Sequence, residues 1–232
     1  FNMALTKLML KKASHVVTAS EEIRQILISL GTRPEAITAI HTGVDTQLFV
    51  EENKKDARLN LDLPLTKTIF LFAGRLHPWK GVPELIQVAQ MCPNFLFLFV
   101  GPGKIPNHPK NCIFPGIIPH QDIGRWMNAA DCLVLPTHTE AIPTSVLEAF
   151  ACGIPSIATN VGGCPEIVTD RENGLIIPVG DIPHLKSAVN WMAEHPEERK
   201  LMGHQAKITV TERFDHIKQT DRLIKIHKSL LL

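Results

Sequence analysis

The chain contains no tyrosine, no Cys-x-x-Cys, no Asp-x-Asp and no His-Glu-x-x-His. Zinc sites are built from closely spaced ligand pairs, so the scattered cysteines Cys92, Cys112, Cys132, Cys152 and Cys164 do not suggest one. Their number is odd, and although the first four lie 20 residues apart, their flanks do not match. They read as small buried apolar residues in a reducing cytosol. Without Asp-x-Asp there is no carboxylate clamp of that type for a divalent metal. An excess of charge is missing too. The 24 Lys+Arg and 23 Asp+Glu give a formal net charge of +1, which gives no electrostatic reason to expect nucleic acid or a polybasic membrane contact. No apolar run approaches the roughly 18 residues of a transmembrane helix. The opening FNMALTKLMLKK is too short and too broken by Lys for a secretory signal. Phe1 is not a natural start, so the chain is expected to begin partway through a longer protein.

With 44% apolar and 20% charged residues among 232, an ordinary globular core of one large domain or two small ones is expected. Short apolar runs alternate with helix-like segments between residues 67 and 195. Strands are expected at Ile69–Ala73, Phe95–Val100, Cys112–Phe114, Cys132–Leu135, Pro155–Ala158 and Leu175–Ile177. Their apolar character does not alternate, as in strands buried on both faces of a parallel sheet. Helical spacing marks Val82–Met91, Gln121–Ala130, Thr144–Ala151 and Ile182–Ala193. Short connections then imply right-handed βαβ crossovers and a doubly wound α/β fold. The N-terminal stretch reads strand (His15–Thr18), helix (Glu21–Leu30, capped by Ser20 and stopped by Gly31) and strand (Ile37–Ile40). Ile23, Ile26, Leu27 and Leu30 give that helix a one-sided apolar face. Residues 51–62 suggest an exposed loop or short helix. The C-terminal third is helical, with breaks at Pro196 and near Phe214 and an apolar stripe from Ile217 to Leu230–Leu232.

Open α/β sheets bind ligands at the carboxyl ends of their strands. After the first strand of the alternating region comes Gly74-Arg75-Leu76-His77-Pro78-Trp79-Lys80-Gly81. Arg75 and Lys80 could hold a diphosphate there, or could be ordinary surface charges. After the next strand, Gly101-Pro102-Gly103-Lys104-Ile105-Pro106 has Pro106 where a dinucleotide fingerprint needs a third glycine. No Walker A loop occurs, so NAD and P-loop chemistry are not expected. The stretch Thr137-His138-Thr139-Glu140-Ala141-Ile142-Pro143-Thr144-Ser145-Val146-Leu147-Glu148 carries most of the chemistry. Pro143 suits a helix start, which leaves the Thr144 and Ser145 amides free for a phosphate. Eight helical residues would separate Glu140 and Glu148 by ~12 Å, wider than the roughly 5–9.5 Å of a glycosidase pair. They suit two hydroxyl-rich ends of one ligand better, unless both are simply solvated helix charges. Val161-Gly162-Gly163-Cys164-Pro165-Glu166 could shape the same cleft or be a turn. His77, His120 and His138 fall in ligand-edge loops.

In order, Thr42-Gly43-Val44-Asp45, Gly74-Arg75 to Lys80-Gly81, Val100-Gly101, Gly116-Ile117-Ile118-Pro119-His120, Ala130-Asp131, Leu135-Pro136-Thr137, the Glu140–Glu148 pair and Gly162-Gly163-Cys164-Pro165-Glu166 form a series. It resembles the retaining glycosyltransferases of family 4 ("group 1"), which have the GT-B fold, from about residue 13 to the end. The resemblance implies that this is the C-terminal, Rossmann-like donor half of such an enzyme, with C-terminal helices. Residues 1–18 would be the end of a truncated acceptor domain, 19–213 the nucleotide-sugar domain and 214–232 a helix crossing back. It implies that Arg75 and Lys80 hold the donor diphosphate, Glu140 the sugar hydroxyls and Glu148 the ribose. Thr144 and Ser145 would meet phosphate or sugar, Ile118 the base, with Gly74 and Gly101 also at the donor. Catalysis would fall to Arg75, Lys80 and Glu140, without a metal or other cofactor, on a UDP-, GDP- or ADP-linked sugar. The missing N-terminal domain would be the partner, the location cytoplasmic, and any membrane contact would come through that domain. Where the family commonly has Glu-Gly-Phe-Gly, this chain has Glu140-Ala141-Ile142-Pro143, a stiffer loop, and Thr42 replaces an Asn. Two other functions fit a similar site: a GT-B nucleotide-sugar 2-epimerase and a non-catalytic nucleotide-sugar-binding module.

Overall fold

The computed structural model describes residues 3–104 and 106–231. In chain order it has α1 (Met3–Lys12), β1 (Val16–Thr18), α2 (Glu21–Ser29), β2 (Ile37–Ala39), α3 (Lys54–Asn60), β3 (Ile69–Ala73), α4 (Val82–Met91) and β4 (Leu96–Val100). Then come β5 (Cys112–Gly116), α5 (Ile123–Ala129), β6 (Cys132–Leu135), α6 (Thr144–Ala151), β7 (Ser156–Thr159), α7 (Cys164–Ile167) and β8 (Gly174–Ile177). Three helices end the chain: α8 (Ile182–Glu194), α9 (Pro196–Arg213) and α10 (His216–Ser229). The expected strands and helices are all present, some at the expected residues and the rest with ends displaced by a residue or two. The largest shift is at α5, where the chain first makes a 3-10 turn over His120–Asp122.

Six strands form one wholly parallel sheet in the order β5-β4-β3-β6-β7-β8. From β3 the chain winds outward in one direction through β4 and β5, then returns to start again at β6. The order therefore reverses between β3 and β6, and a crevice opens beyond their carboxyl ends. All five residues of β3 and of β4 are buried, as expected for strands covered by helices on both faces. Register places Phe70 beside Phe97 and Phe72 beside Phe99, with ring centroids 5.4 and 5.9 Å apart. The five cysteines are free and buried. Burial pushes the thiols of Cys112, Cys152 and Cys164 up to about 12, and raises those of Cys92 and Cys132.

The amino end of the sheet is fastened by an ion cluster on Asp131. Its Oδ2 accepts from Arg58 Nη2 (2.7 Å) and the Ile69 amide (2.8 Å). Its Oδ1 accepts from Lys54 Nζ (2.8 Å) and Arg199 Nη2 (3.4 Å). Burial pushes the Asp131 carboxyl up, but the Lys54 and Arg58 cations and the Ile69 amide outweigh it and hold it below the ordinary aspartate range. Arg58 also donates to the carbonyls of Ala129, Leu65 and Lys67. The cluster thus ties α3 and α9 to the starts of β3 and β6.

β1 and β2 form a separate two-stranded parallel sheet, whose strands fall on either side of the limit expected at residue 18. Ser20 caps α2 by accepting from the Ile23 amide, and Gly31 follows with φ +102°, as expected. No residue of α2 is fully buried, however, and Ile26 is half exposed. Periodicity reveals that the face is apolar but not what covers it. The chain passage from the small sheet towards the large one lies beside the turn that links α9 to α10. The Val44 amide donates to Phe214 O (2.9 Å) and the His216 amide to Val44 O (3.1 Å). Glu166, from α7, braces the junction: its carboxylate accepts from the Glu21 and Glu22 amides of α2 (2.9 and 3.1 Å) and lies 2.7 Å from His41 Nε2. Ile217, Leu223, Ile224, Leu230 and Leu231 are exposed in and just beyond α10; Leu232 lies outside the described residues.

Candidate donor-binding cleft

The crevice beyond β3 and β6 is a cleft of about 370 Å³. Every site residue expected from the sequence lines it: Gly74, Arg75, Lys80, Gly101, Ile118, Glu140, Thr144, Ser145 and Glu148. Gly74 and Gly101 make the floor, where the Gly101 amide donates to Gly116 O (2.9 Å). Gly101 has φ +137°, and a Cβ there would run into the Gly74 carbonyl. The two loops can pass this closely only with glycine at that position.

Arg75 is exposed at the cleft edge, and no protein group among the described residues hydrogen-bonds to it. Lys80 ends a 3-10 turn over Pro78–Lys80 that His77 caps through Nδ1. That turn is tied to the loop after β6, because Trp79 O accepts from the His138 amide (2.9 Å) and from Thr137 Oγ1 (3.2 Å). The tie places Lys80 Nζ 2.5 Å from Glu140 Oε2. Pro143 precedes α6, and no side chain among the described residues caps that helix. The amides of Thr144 and Ser145 have no acceptor among the described residues. A cation without a carboxylate, a second cation and an uncapped helix start therefore face one space. This is the arrangement that favours a phosphate group.

The second carboxylate, Glu148, sits further into α6. Its side chain is 14% exposed, and burial raises its carboxyl above the ordinary range despite an opposing hydrogen bond and charge from His120. Glu140 rests against the loop after β7. The Gly163 amide donates to Ala141 O (3.0 Å), and a Cβ on Gly162 (φ +57°) would strike the Glu140 carbonyl. The Gly162-Gly163 loop therefore backs the cleft wall without lining it. Among the described residues no cluster of three His, Cys, Asp or Glu side chains could hold a metal ion.

Sequence reasoning placed His120 in a ligand-edge loop but did not include it in the site. It also gave no role to Ile117, Ile123 or Ile142, which with Pro143 add apolar lining. The signal for the apolar lining was its position beside motif residues. Nothing in the local sequence marked the pairing of His120 with a glutamate 28 residues away.

A family model described as glycosyl transferases group 1 matches residues 53–209. The D-inositol 3-phosphate glycosyltransferase of Saccharomonospora viridis is 28% identical over 239 residues, covering 93% of this chain and 55% of that protein. Among solved structures, sucrose-phosphate synthase from Thermosynechococcus elongatus superposes with a TM-score of 0.92 at 24% identity, over 99% of this chain and 61% of that one. Anabaena Alr3699/HepE, solved in complex with UDP-glucose, gives 0.87 at 22% identity, over 99% of this chain and 68% of that one. At these identities the structural likeness is one of fold, the Rossmann-like half of GT-B glycosyltransferases. This chain spans about half the length of the curated relatives it matches. The matched span, most of the large-sheet domain, shows that the chain belongs to the glycosyl transferases group 1 family.

Proposed function

We propose that this chain is the nucleotide-sugar donor half of a retaining glycosyltransferase, completed by an N-terminal acceptor domain. One observation carries the reading: Arg75, Lys80, the uncapped start of α6 and both glutamates line a single cleft at the point where the strand order reverses. In this reading Arg75 and the α6 amides hold the diphosphate, and Lys80 bridges it to Glu140. Glu140 takes sugar hydroxyls, Glu148 takes the ribose, and the Ile118 backbone meets the base. The acceptor hydroxyl oxygen bonds to the anomeric carbon as the bond from that carbon to the phosphate oxygen breaks. The electron pair stays on the leaving diphosphate, one oxygen of which takes the hydroxyl proton on the same face of the sugar. Arg75 and Lys80 stabilise the charge that develops, and groups in this position are typically worth about 3–4 kcal/mol each. No metal is assigned a step. A cytoplasmic setting belongs to the same proposal, and the UDP-glucose complex of the Anabaena protein makes UDP-sugars the first donors to try.

Ligand that binds only the native state raises its melting temperature. A thermal-shift series with UDP-, GDP- and ADP-sugars should therefore show one nucleotide class stabilising the chain, and Arg75→Ala should abolish the shift. No shift with any of the three, confirmed by calorimetry, would overturn the reading.

A further inference from the structure

His120 is the only side chain among the described residues that hydrogen-bonds to Glu148, with Nε2 3.2 Å from Oε1. Its ring is braced from behind. Phe49 meets it edge-on with centroids 5.2 Å apart, and Phe49 is fully buried. The backbone is fixed as well, since His120 opens the 3-10 turn in which the Asp122 amide donates to Pro119 O (2.9 Å). The imidazole is thus aimed from the core although its side chain is 67% exposed.

Glu148 has a use for such a neighbour. An ionised carboxylate is an acceptor at both oxygens, so the contact requires His120 Nε2–H to donate. Oε2 then has no protein donor among the described residues, while the residue itself lines the cleft. Burial opposes ionisation of Glu148 and His120 favours it, so the imidazole also helps keep the group an acceptor. A vicinal diol offers two O–H donors that such a carboxylate can take. We propose that His120 is a positioning residue for ribose recognition: by holding Oε1 it turns Glu148 so that Oε2 meets the 2′,3′-diol of a bound ribonucleotide. The proposal rests on the donor-cleft reading above and makes it specific for ribose over deoxyribose.

The test is calorimetric titration of the 232-residue chain and its variants. The probes are the tightest-binding of UDP, GDP and ADP, and its 2′,3′-dideoxy counterpart. Loss of one hydrogen bond to an ionised group predicts that His120→Ala weakens the ribonucleotide at least about tenfold. Binding of the dideoxy ligand should be unchanged. His120→Gln, which can still donate to Oε1, should recover most of the loss. In a Glu148→Ala background His120→Ala should have no further effect. Equal weakening of both ligands, or no weakening of either, overturns the proposal. If the wild-type chain binds none of the three nucleotides, the donor reading fails with it, and that failure shows before any variant is made.

Discussion

Asp131, at the start of β6, and Glu140 and Glu148, beyond its end, are all carboxylates beside basic side chains, yet they are solvated by the protein in different ways. Asp131 receives four donors, at least one strong donor on each oxygen, and is buried. Nothing is left for a ligand to supply. Glu140 has Lys80 on one oxygen and only a 3.3 Å contact from its neighbour's amide on the other. Glu148 has a single partner among the described residues. The saturated carboxylate holds elements together, whereas the unsaturated ones line a space with acceptor capacity to spare. An ion pair is therefore read best by counting its unfilled acceptor sites.

The largest effect should come from the saturated side. Asp131→Ala leaves Arg58 charged and buried, a class of change that costs about 3–5 kcal/mol. At roughly 2–4 °C per kcal/mol for a chain of this size, the melting temperature should fall on the order of 10 °C. Its pH dependence follows from the same network. The Asp131 carboxyl is held below its unfolded value, so its contribution is fully present above the ordinary value of about 3.9. It is lost as pH falls through the folded value. The stability gap between wild type and Asp131→Asn should therefore narrow on acidification below about pH 4, as followed by urea unfolding. A gap that stays constant would show that the cluster acts through packing alone.

Next in size are Lys80→Ala and Glu140→Ala, assayed with the acceptor domain present. Each should lower turnover at least about 100-fold, while unfolding shifts little because both groups border an open cleft. Marked destabilisation without loss of turnover would place this pair with Asp131 and erase the distinction. Gly162→Ala should cost at least about 1–2 kcal/mol, from its left-handed backbone and the clash with the Glu140 carbonyl, and should also lower turnover by moving that carbonyl. The smallest effect is expected at Glu148. Its folded carboxyl is raised by burial, so its contribution has the opposite sign: it favours folding below the ordinary glutamate value and is lost as pH rises through the folded one. Glu148→Gln should therefore leave the ligand-free chain equally stable or slightly more so at pH 7, by on the order of 1 °C. Its affinity for a ribonucleotide should fall.

The strands were legible because each is a short unbroken apolar run ending at Pro, Gly or a polar loop. β3, β6, α4 and α6 begin and end at the expected residues. The cleft residues were legible because the topology of an alternating β/α chain sends the loops after β3, β4 and β6 to one edge. What could not be read was pairing across long sequence separations. Lys80 finds Glu140 60 residues on, and Glu166 finds the start of α2 across 145. Local composition carries no trace of such partners, because they depend on how loops from different strands stack. The half-exposed face of α2 illustrates the same limit.

The five buried thiols have a practical meaning. Only a thiolate alkylates readily, and burial keeps these groups protonated and enclosed. They sit at the ends of α4 and α6 and the starts of β5, β6 and α7, distributed across the large sheet and its covering helices. Alkylation in native buffer is therefore a clock for transient opening of the domain. The order in which the five sites acquire label would map which layer parts first.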